Sequence, residues 1–324
     1  MLISIAMTTY NGEKYLRKQL DSILNQTYKN IEIVVCDDCS SDSTCKILEE
    51  YQSKYSNIHI YLNEKNLGFA KNFEKAIQLC NGNYIALADQ DDIWLPEKIE
   101  TLYKNIGNNS VICSTYKIID ENDFIIQEEH FSRIDTRKKL ITQNLNMFKV
   151  LLFTNFVTGC TILMKREFVN KILPFPDDCY HDWWIGLIAS YHNELKYIDR
   201  PLINYRHHSN NETSVLRIDK KIPELMKGFF IIYNEHYKKT KIKKSNDSIN
   251  ILTNLKQHIS FNINISTFID NIIKLNKSIL NFQFSLKSLH LIWFEFKNLK
   301  YISTKWNYFP FSIILRLALK IKAN

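Results

Sequence analysis

Three carboxylates stand within four residues at Asp89-Gln90-Asp91-Asp92, followed at once by Ile93-Trp94-Leu95-Pro96. Like charges this close repel one another unless a cation sits among them. A hard divalent ion suits such a group, since Mg²⁺ binds one or two carboxylates together with substrate phosphates. The plain alternative is a solvated acidic turn ahead of the helix that opens at Pro96. On these residues alone the two weigh equally. A second acidic pair, Asp37-Asp38, closes a β-branched run. One Asp there accepts from a base or ribose, as acidic groups do in nucleotide-binding α/β folds, or simply starts the next turn. Thr8-Thr9-Tyr10-Asn11 offers hydroxyls and an aromatic face, or a helix cap.

Two further clusters lie far along the chain. His181-Asp182-Trp183-Trp184 sets a carboxylate among an imidazole and two indoles. It reads as a general base in a partly desolvated pocket with a stacking face for a sugar, or as an N-cap with two core tryptophans. Tyr205-Arg206-His207-His208, with Asn210-Asn211, gathers cation, imidazole and amide groups. A pyrophosphate wants such groups; a polar surface loop also contains them.

The elements that must carry these clusters can be read from periodicity. Ile3–Met7, Ile31–Cys36, Ile58–Leu62 and Tyr84–Ala88 are short apolar runs and predict strands. Glu13–Asn25, a segment from Ser41 or Asp42 to about Tyr55, and Phe69–Cys80 predict helices between them. Strand and helix alternating at this pitch give a parallel α/β sheet, in which ligands bind at the carboxyl ends of strands. TTYN, DD and DQDD all fall just after a strand. Further on, Val111–Ile119 and Cys160–Lys165 predict strands, Asp120–Lys139 a loop or hairpin, and Asp182–His192 a helix. Lys220–Lys239, Ser248–Leu280 and Leu286–Phe296 predict helices, with a boundary near residue 217.

Several function classes are excluded. No G-x-G-x-x-G and no G-x-x-x-x-G-K-[ST] occurs, against dinucleotide oxidoreductases and P-loop enzymes. Cys36 and Cys39 have C-x-x-C spacing, but no second Cys/His pair at zinc-ligand spacing follows, and the seven Cys read as reduced thiols. Hydrophobic content of 45% and charged content of 23% are those of a globular chain. There is no uncharged apolar run of about 18 residues that would span a membrane. The opening MLISIAMTTYNG lacks the marks of a signal peptide, so a cytoplasmic location is expected.

Seven segments in order carry a resemblance: SIAMTTYNGEKYLRKQLDSILNQTY, IEIVVCDDCSSDST, NLGFAKNFEKAI, GNYIALADQDDIWLPEKI, TGCTILMKR, HDWW and YRHHSNN. Together they resemble a family 2 glycosyltransferase with the GT-A fold, a Rossmann-like, mostly parallel α/β sheet, here followed by a C-terminal α-helical region. The likeness runs over about residues 1–212. ADQDDIW with HDWW and YR-x-H-x-x-N is most similar to the bacterial rhamnosyltransferase-like, capsule or O-antigen branch. The implied layout is a catalytic domain at 1–217 and a basic, aromatic-rich helical region at 218–324.

The resemblance implies roles. Thr8, Tyr10 and Asp38 would hold the nucleoside of a sugar-nucleotide donor, and Asn11, Asn66, Asp89 and Arg206 would also bind that donor. Asp89 and Asp91 would be the D-x-D pair on a divalent metal, Mn²⁺ or Mg²⁺, with Asp91 the more direct ligand. Arg206 and His208 would meet the diphosphate or the metal, and Asp182 would be the general base of an inverting transfer. Asp92, Trp94, His181, Trp183 and Trp184 would face the acceptor or back the site. One departure is Cys39, where the family usually has Gly; a φ > 0 there would strain a Cys. A sugar-1-phosphate nucleotidyltransferase would instead carry a Gly-rich, Arg-containing loop after the first strand, which TTYNGEKYL is not. A catalytically degenerate scaffold of a membrane assembly complex is the remaining alternative, and intact Asp38, Asp91 and Asp182 weigh against it.

Charge is unevenly spread. Residues 201–324 hold 20 basic and 7 acidic side chains, an excess of 13, while the whole chain carries +8. No nucleic-acid motif accompanies this excess, so nucleic acid is not the expected partner. From Lys220 the basic residues are interleaved with Trp293, Phe294, Phe296, Tyr301, Trp306, Tyr308, Phe309 and Phe311. Basic helices with Trp and Phe read as membrane-surface elements. The expectation is an enzyme peripheral at the inner face of the plasma membrane, near a lipid-linked glycan acceptor. The alternative is a soluble helical cap or a homodimer interface.

Overall fold

The computed structural model describes residues 1–127, 146–153, 155–177, 179–208 and 235–280. The chain divides into two compact units. One comprises Met1–Lys138 with Asn155–Ser214, the other Lys139–Thr154 with Val215–Asn324.

The first unit is built on one sheet. Its opening half is β1 (Ile3–Thr9), α1 (Leu16–Leu24), β2 (Ile31–Asp37), α2 (Thr44–Lys54), β3 (Ile58–Leu62), α3 (Phe69–Leu79) and β4 (Tyr84–Ala88). β2 is buried at every position, and β1 at all but Thr8, because helices cover both faces of a parallel sheet. Next come β5 (Ile93–Trp94), α4 (Lys98–Ile106), β6 (Val111–Ile119) and β7 (Ile125–Gln127). A short helix of the second unit, α5 (Met147–Leu151), intervenes before β8 (Ile162–Lys165), α6 (Val169–Ile172), α7 (His181–Tyr191) and β9 (Leu195–Arg206).

Among the described residues the strand order is β3-β2-β1-β4-β8-β6-β9-β5, with β7 paired to β6. β1 runs parallel to β2 and β4, and β2 to β3. β8 is antiparallel to both β4 and β6, so β6 points the same way as β4; β9 is parallel to β6. Six strands therefore share one direction. Their carboxyl ends deliver Thr9, Asp37, Ala88, Ile119 and Arg206 to one edge of the sheet.

Most of the expected elements are present with small shifts. α1 starts at Leu16 rather than Glu13, because Asn11 takes φ 48 and the Tyr15 and Leu16 N–H groups fold back on the Gly12 carbonyl. β9 was not expected. Asp199-Arg200-Pro201 interrupts its alternation, and the pairing with β6 shifts register there. Tyr205-Arg206 thus ends a strand instead of lying in a surface loop.

In the second unit the run expected as one helix, Ser248–Leu280, is two: α8 (Glu235–His258) and α9 (Ile263–Leu280). Asn262 breaks it, accepting from the Ile265 N–H at 3.0 Å in the manner of an N-cap. Ile251, Leu252 and Leu255 of α8 are buried, as are Ile269 and Ile272 of α9. Phe148 and Phe153 meet Phe261 and Phe268 at ring separations of 6.1 and 5.9 Å. The helix expected at Leu286–Phe296 and the aromatic positions from Trp293 to Phe311 lie outside the described residues, as do Asn210 and Asn211.

Candidate active site

The acidic turn Asp89–Asp92 joins β4 to β5, and it is gripped from three sides. Gln19 of α1 is wholly buried and donates to the Asp89 carbonyl at 2.7 Å. The Gln90 amide clamps the Tyr10 backbone, accepting from its N–H at 2.8 Å and donating to its carbonyl at 2.9 Å. Gly12 leaves room for that clamp: a Cβ there would lie 2.2 Å from Gln90 Oε1. Arg206 supplies the third side, its Nε donating to the Asp91 carbonyl at 2.8 Å and its backbone N–H to Asp92 Oδ1 at 3.0 Å. Ser22 Oγ accepts from the Trp94 N–H, and Gln26 accepts from the Ile99 N–H while donating to the Leu95 carbonyl. Sequence reasoning missed Gln19, Ser22 and Gln26. Their signal was polar residues at helical spacing beside the buried Leu16, Leu20 and Ile23.

The carboxylates differ sharply. Asp91 is half-buried, with Oδ2 2.8 Å from His208 Nε2. Burial, then the charges of Asp91 and Asp182, push Asp89 up to about 7. Asp92 is fully buried, and burial followed by Asp91 and Asp89 raises it well above the usual carboxylate range.

The donor set decides where a divalent ion fits. Ligand atoms of Asp89, Asp92 and Cys160 lie within 4.8 Å of one another, close enough to hold a metal. Mg²⁺ and Mn²⁺ prefer oxygen ligands, however, and a thiol at the third corner suits them poorly. Asp91 Oδ2 and His208 Nε2, at a half-buried position, offer an oxygen and an imidazole nitrogen, donors that such an ion accepts.

Across the edge, Asp37 and Asp38 play unequal parts. Asp37 takes Thr9 Oγ1 at 2.7 Å, Ser40 Oγ at 2.6 Å, the Ser40 N–H at 2.8 Å and the Cys45 thiol at 3.5 Å. That fills the four acceptor positions of a carboxylate. Asp38 takes three donors: Asn63 Nδ2 at 2.7 Å and the N–H groups of Leu67 and Gly68 at 2.8 and 2.9 Å. One acceptor position of Asp38 remains by the same count. Asn66 Nδ2 donates to the Asp38 carbonyl at 3.2 Å, so it holds the same loop. Tyr10 is 51% exposed and Thr8 half-buried, whereas Asn11 takes Ser41 N–H on its side chain. Cys39 does adopt φ 66, the left-handed conformation that favours Gly.

Asp182 lies in the first turn of α7, where a negative charge is favoured. Its Oδ1 accepts from Asn155 Nδ2 at 3.1 Å and from the Trp183 N–H at 2.6 Å. The 3-10 turn Gly159–Thr161 joins this carboxylate to the acidic turn. Cys160 lies by Asp89 and Asp92, while a Cβ on Gly159 would sit 2.8 Å from His181 Nε2.

Other expected site residues turn out to be backing. Trp184 is fully buried and donates Nε1–H to the Ile172 carbonyl; Trp183 and Trp94 are buried too. Trp183 and Trp184 have no open face for a sugar, because α7 is buried along most of its length. His181 is packed 4.2 Å from the Phe73 ring, and burial lowers its pKa. Arg206 has no exposed surface. Its guanidinium serves the carbonyls of Asp91 and Asp120, pairs with Asp123 at 2.6 Å and stacks on Tyr15. It reaches the site through Asp91 and Asp92 rather than by a face of its own.

A mostly parallel α/β sheet with acidic groups gathered at the carboxyl ends of its strands is the arrangement of nucleotide-binding α/β folds. The chain belongs to glycosyl transferase family 2, whose model matches residues 4–173. It is similar to a dTDP-rhamnosyl transferase of Shigella flexneri, 32% identical over 256 residues that span 74% of this chain and 83% of that one. Among solved structures, Staphylococcus aureus TarS 1–349 in complex with UDP-GlcNAc matches with a TM-score of 0.57 at 17% identity, covering 94% of this chain and 82% of that one. A mannosyltransferase of Pyrobaculum calidifontis in complex with GDP-Man and Mn²⁺ matches at 0.54 and 13%, covering 92% and 80%. The structural likenesses show the fold, GT-A. The chain is a glycosyltransferase.

Proposed function

We propose that this glycosyltransferase is inverting and metal-dependent, moving a sugar from a nucleoside-diphosphate donor to a hydroxyl of a growing cell-surface polysaccharide, with Asp182 as the base. The observation that carries this reading is the placement of Asp182. Two donors fix its carboxylate, and the turn Gly159-Cys160 links it to the acidic turn: a Cβ on Gly159 would lie 3.8 Å from Asp182 Cβ, and the Cys160 sulfur lies within 4.8 Å of carboxylate oxygens of Asp89 and Asp92. This supports a reading in which base and diphosphate-facing turn share one site.

Asp182 takes the acceptor hydroxyl proton as that oxygen bonds to the anomeric carbon. The bond to the diphosphate breaks on the opposite face, and its electron pair leaves with the nucleoside diphosphate. No covalent enzyme intermediate is needed. Asp38, with its remaining acceptor position, would take a donor group of the nucleoside, beside Thr8, Tyr10, Asn11 and Asn66. Arg206 acts as a positioning residue that holds Asp91 and Asp92. A divalent ion at Asp91 and His208, with Asp89, would supply positive charge against the departing diphosphate. A positioned general base contributes about 10²–10⁴-fold. Asp182→Asn should therefore keep donor binding and lose turnover by at least about 100-fold, measured as nucleoside diphosphate released.

Rhamnose is the proposed sugar, on the likeness of ADQDDIW and HDWW and of the Shigella protein's name. The three relatives carry dTDP, UDP and GDP in their names, so a donor panel must decide. Among the described residues no helix is long and apolar enough to cross a membrane. The excess of 13 positive charges in residues 201–324 would instead hold the enzyme to an anionic membrane surface, near a lipid-linked acceptor, at about 1 kcal/mol per nearby Lys or Arg. Flotation with anionic but not neutral liposomes is expected. Flotation unchanged after truncation at residue 217 would reject the membrane role.

A further inference from the structure

The turn between β6 and β7 brings a carboxylate to the acidic turn from outside the motifs. Asp120 shapes it. Its Oδ1 accepts from the N–H groups of Asn122 at 2.8 Å and Phe124 at 3.0 Å, and its carbonyl accepts from the Asp123 N–H at 3.2 Å. Asp123 then takes φ 72, a left-handed conformation that Asp adopts more readily than most residues. Its two oxygens serve different partners. Oδ1 lies 2.6 Å from Arg206 Nη2, and Oδ2 pairs with Lys18 of α1. Lys18 and Asp123 both reach solvent, and a pair so exposed contributes little. Arg206 has no exposed surface, and fully buried arginines are rare unless paired. The Tyr15 ring lies 4.4 Å from its guanidinium carbon, and the carbonyls of Asp91 and Asp120 accept its Nε–H and Nη1–H. The ring and the carbonyls carry no formal charge, whereas Asp123 does. The Asp91 carbonyl held in this way belongs to the residue whose carboxylate meets His208.

We propose that Asp123 is a positioning residue for glycosyl transfer. It fixes Arg206, and Arg206 fixes the main chain of Asp91 and the carboxylate of Asp92, so the β6–β7 turn sets where the Asp91 side chain points. Only the effect on turnover rests on the function proposed above. A buried cation that loses its carboxylate turns to other acceptors or draws in water, and the carbonyl it held is then released. Asp123→Asn isolates this charge, because Asn has nearly the same shape and also accepts a left-handed backbone.

The test has two arms. The first is hydrogen exchange in EDTA, which needs neither donor nor metal. In Asp123→Asn the amides of residues 89–94 should exchange about 10-fold faster, while those of β1 and β2 keep their rates. Lys18→Met should leave both sets unchanged. Unchanged exchange at 89–94, or acceleration by one factor throughout the sheet, would overturn the proposal. If the stranded Arg206 prevents Asp123→Asn from folding, Asp123→Asn/Arg206→Met strands no buried charge and should fold with the same local change. Failure of that variant to fold would also overturn it. The second arm is kcat/KM on the donor that the wild type turns over, with each variant shown to be folded. Asp123→Asn should lose about 10-fold or more, and the double variant should be no worse than Arg206→Met alone. An unchanged kcat/KM in Asp123→Asn, or losses that multiply in the double variant, would contradict the route through Arg206. A wild type that turns over no donor would reject the functional reading, and the exchange arm still decides on Asp123.

Discussion

The two acidic clusters at the carboxyl edge of the sheet are built on opposite principles. At the end of β2, every acceptor position of Asp37 is matched by a donor from Thr9, Ser40 or Cys45, and Asp38 takes three more. At the end of β4 the main chain is gripped just as firmly, but the side-chain charges are crowded. Asp89 and Asp92 are raised by burial and by their neighbours, and Asp92 keeps an unmatched oxygen. Satisfied carboxylates make a frame. Crowded carboxylates on a rigid turn store an affinity for positive charge, which a ligand can then use. In the proposed reading, the first cluster frames the donor's nucleoside and the second supplies the charge that faces its diphosphate.

This contrast predicts different failures. The largest effect is expected for Asp91→Ala, which should abolish metal-dependent binding of nucleoside diphosphate while leaving the melting midpoint within a few degrees. Calorimetry showing equal affinity with and without Mn²⁺ in the wild type would contradict the assignment. Asp37→Ala should do the reverse. It strands the Thr9 and Ser40 donors and should cost about 3 kcal/mol in urea unfolding, with Mn²⁺ affinity unchanged. If Asp37→Ala instead abolished metal binding at full stability, the division between frame and electrostatics would fail. The smallest effect is expected for Cys39→Gly, which relieves a left-handed residue and should stabilise the fold by about 1 kcal/mol. A loss of stability there would mean that the Cys39 thiol contact to the Asn63 carbonyl outweighs the backbone strain.

The parallel half of the fold was legible because each strand is a short apolar run ending in a polar cluster, as at Met7-Thr8-Thr9 and Ala88-Asp89. Local pattern and position in the sheet agree there. β9 was hidden for the opposite reason, since Asp199-Arg200-Pro201 breaks the alternation where the strand bulges against β6. Asp182 and Asp91 were legible as chemical groups. What held them was not. Gln19 and Ser22 read as ordinary polar positions of an amphipathic helix, and their targets lie about 70 residues away in the chain. Lys98, after Pro96-Glu97, reads as a solvated residue of a helix start. Its burial against the Trp94 ring is not visible in the local pattern. The two tryptophans after Asp182 invited a sugar-stacking role, whereas the burial of α7 makes them core.

The most direct test of the account compares wild type and Asp182→Asn on a panel of dTDP-rhamnose, UDP-sugars and GDP-sugars, reading released nucleoside diphosphate with Mn²⁺ or EDTA. Wild type should turn over one donor class in Mn²⁺ and none in EDTA, while Asp182→Asn binds that donor with similar affinity and turns it over at about a hundredth of the rate or less. An Asp182→Asn variant that keeps more than about a tenth of the wild-type rate would contradict the assignment of the base.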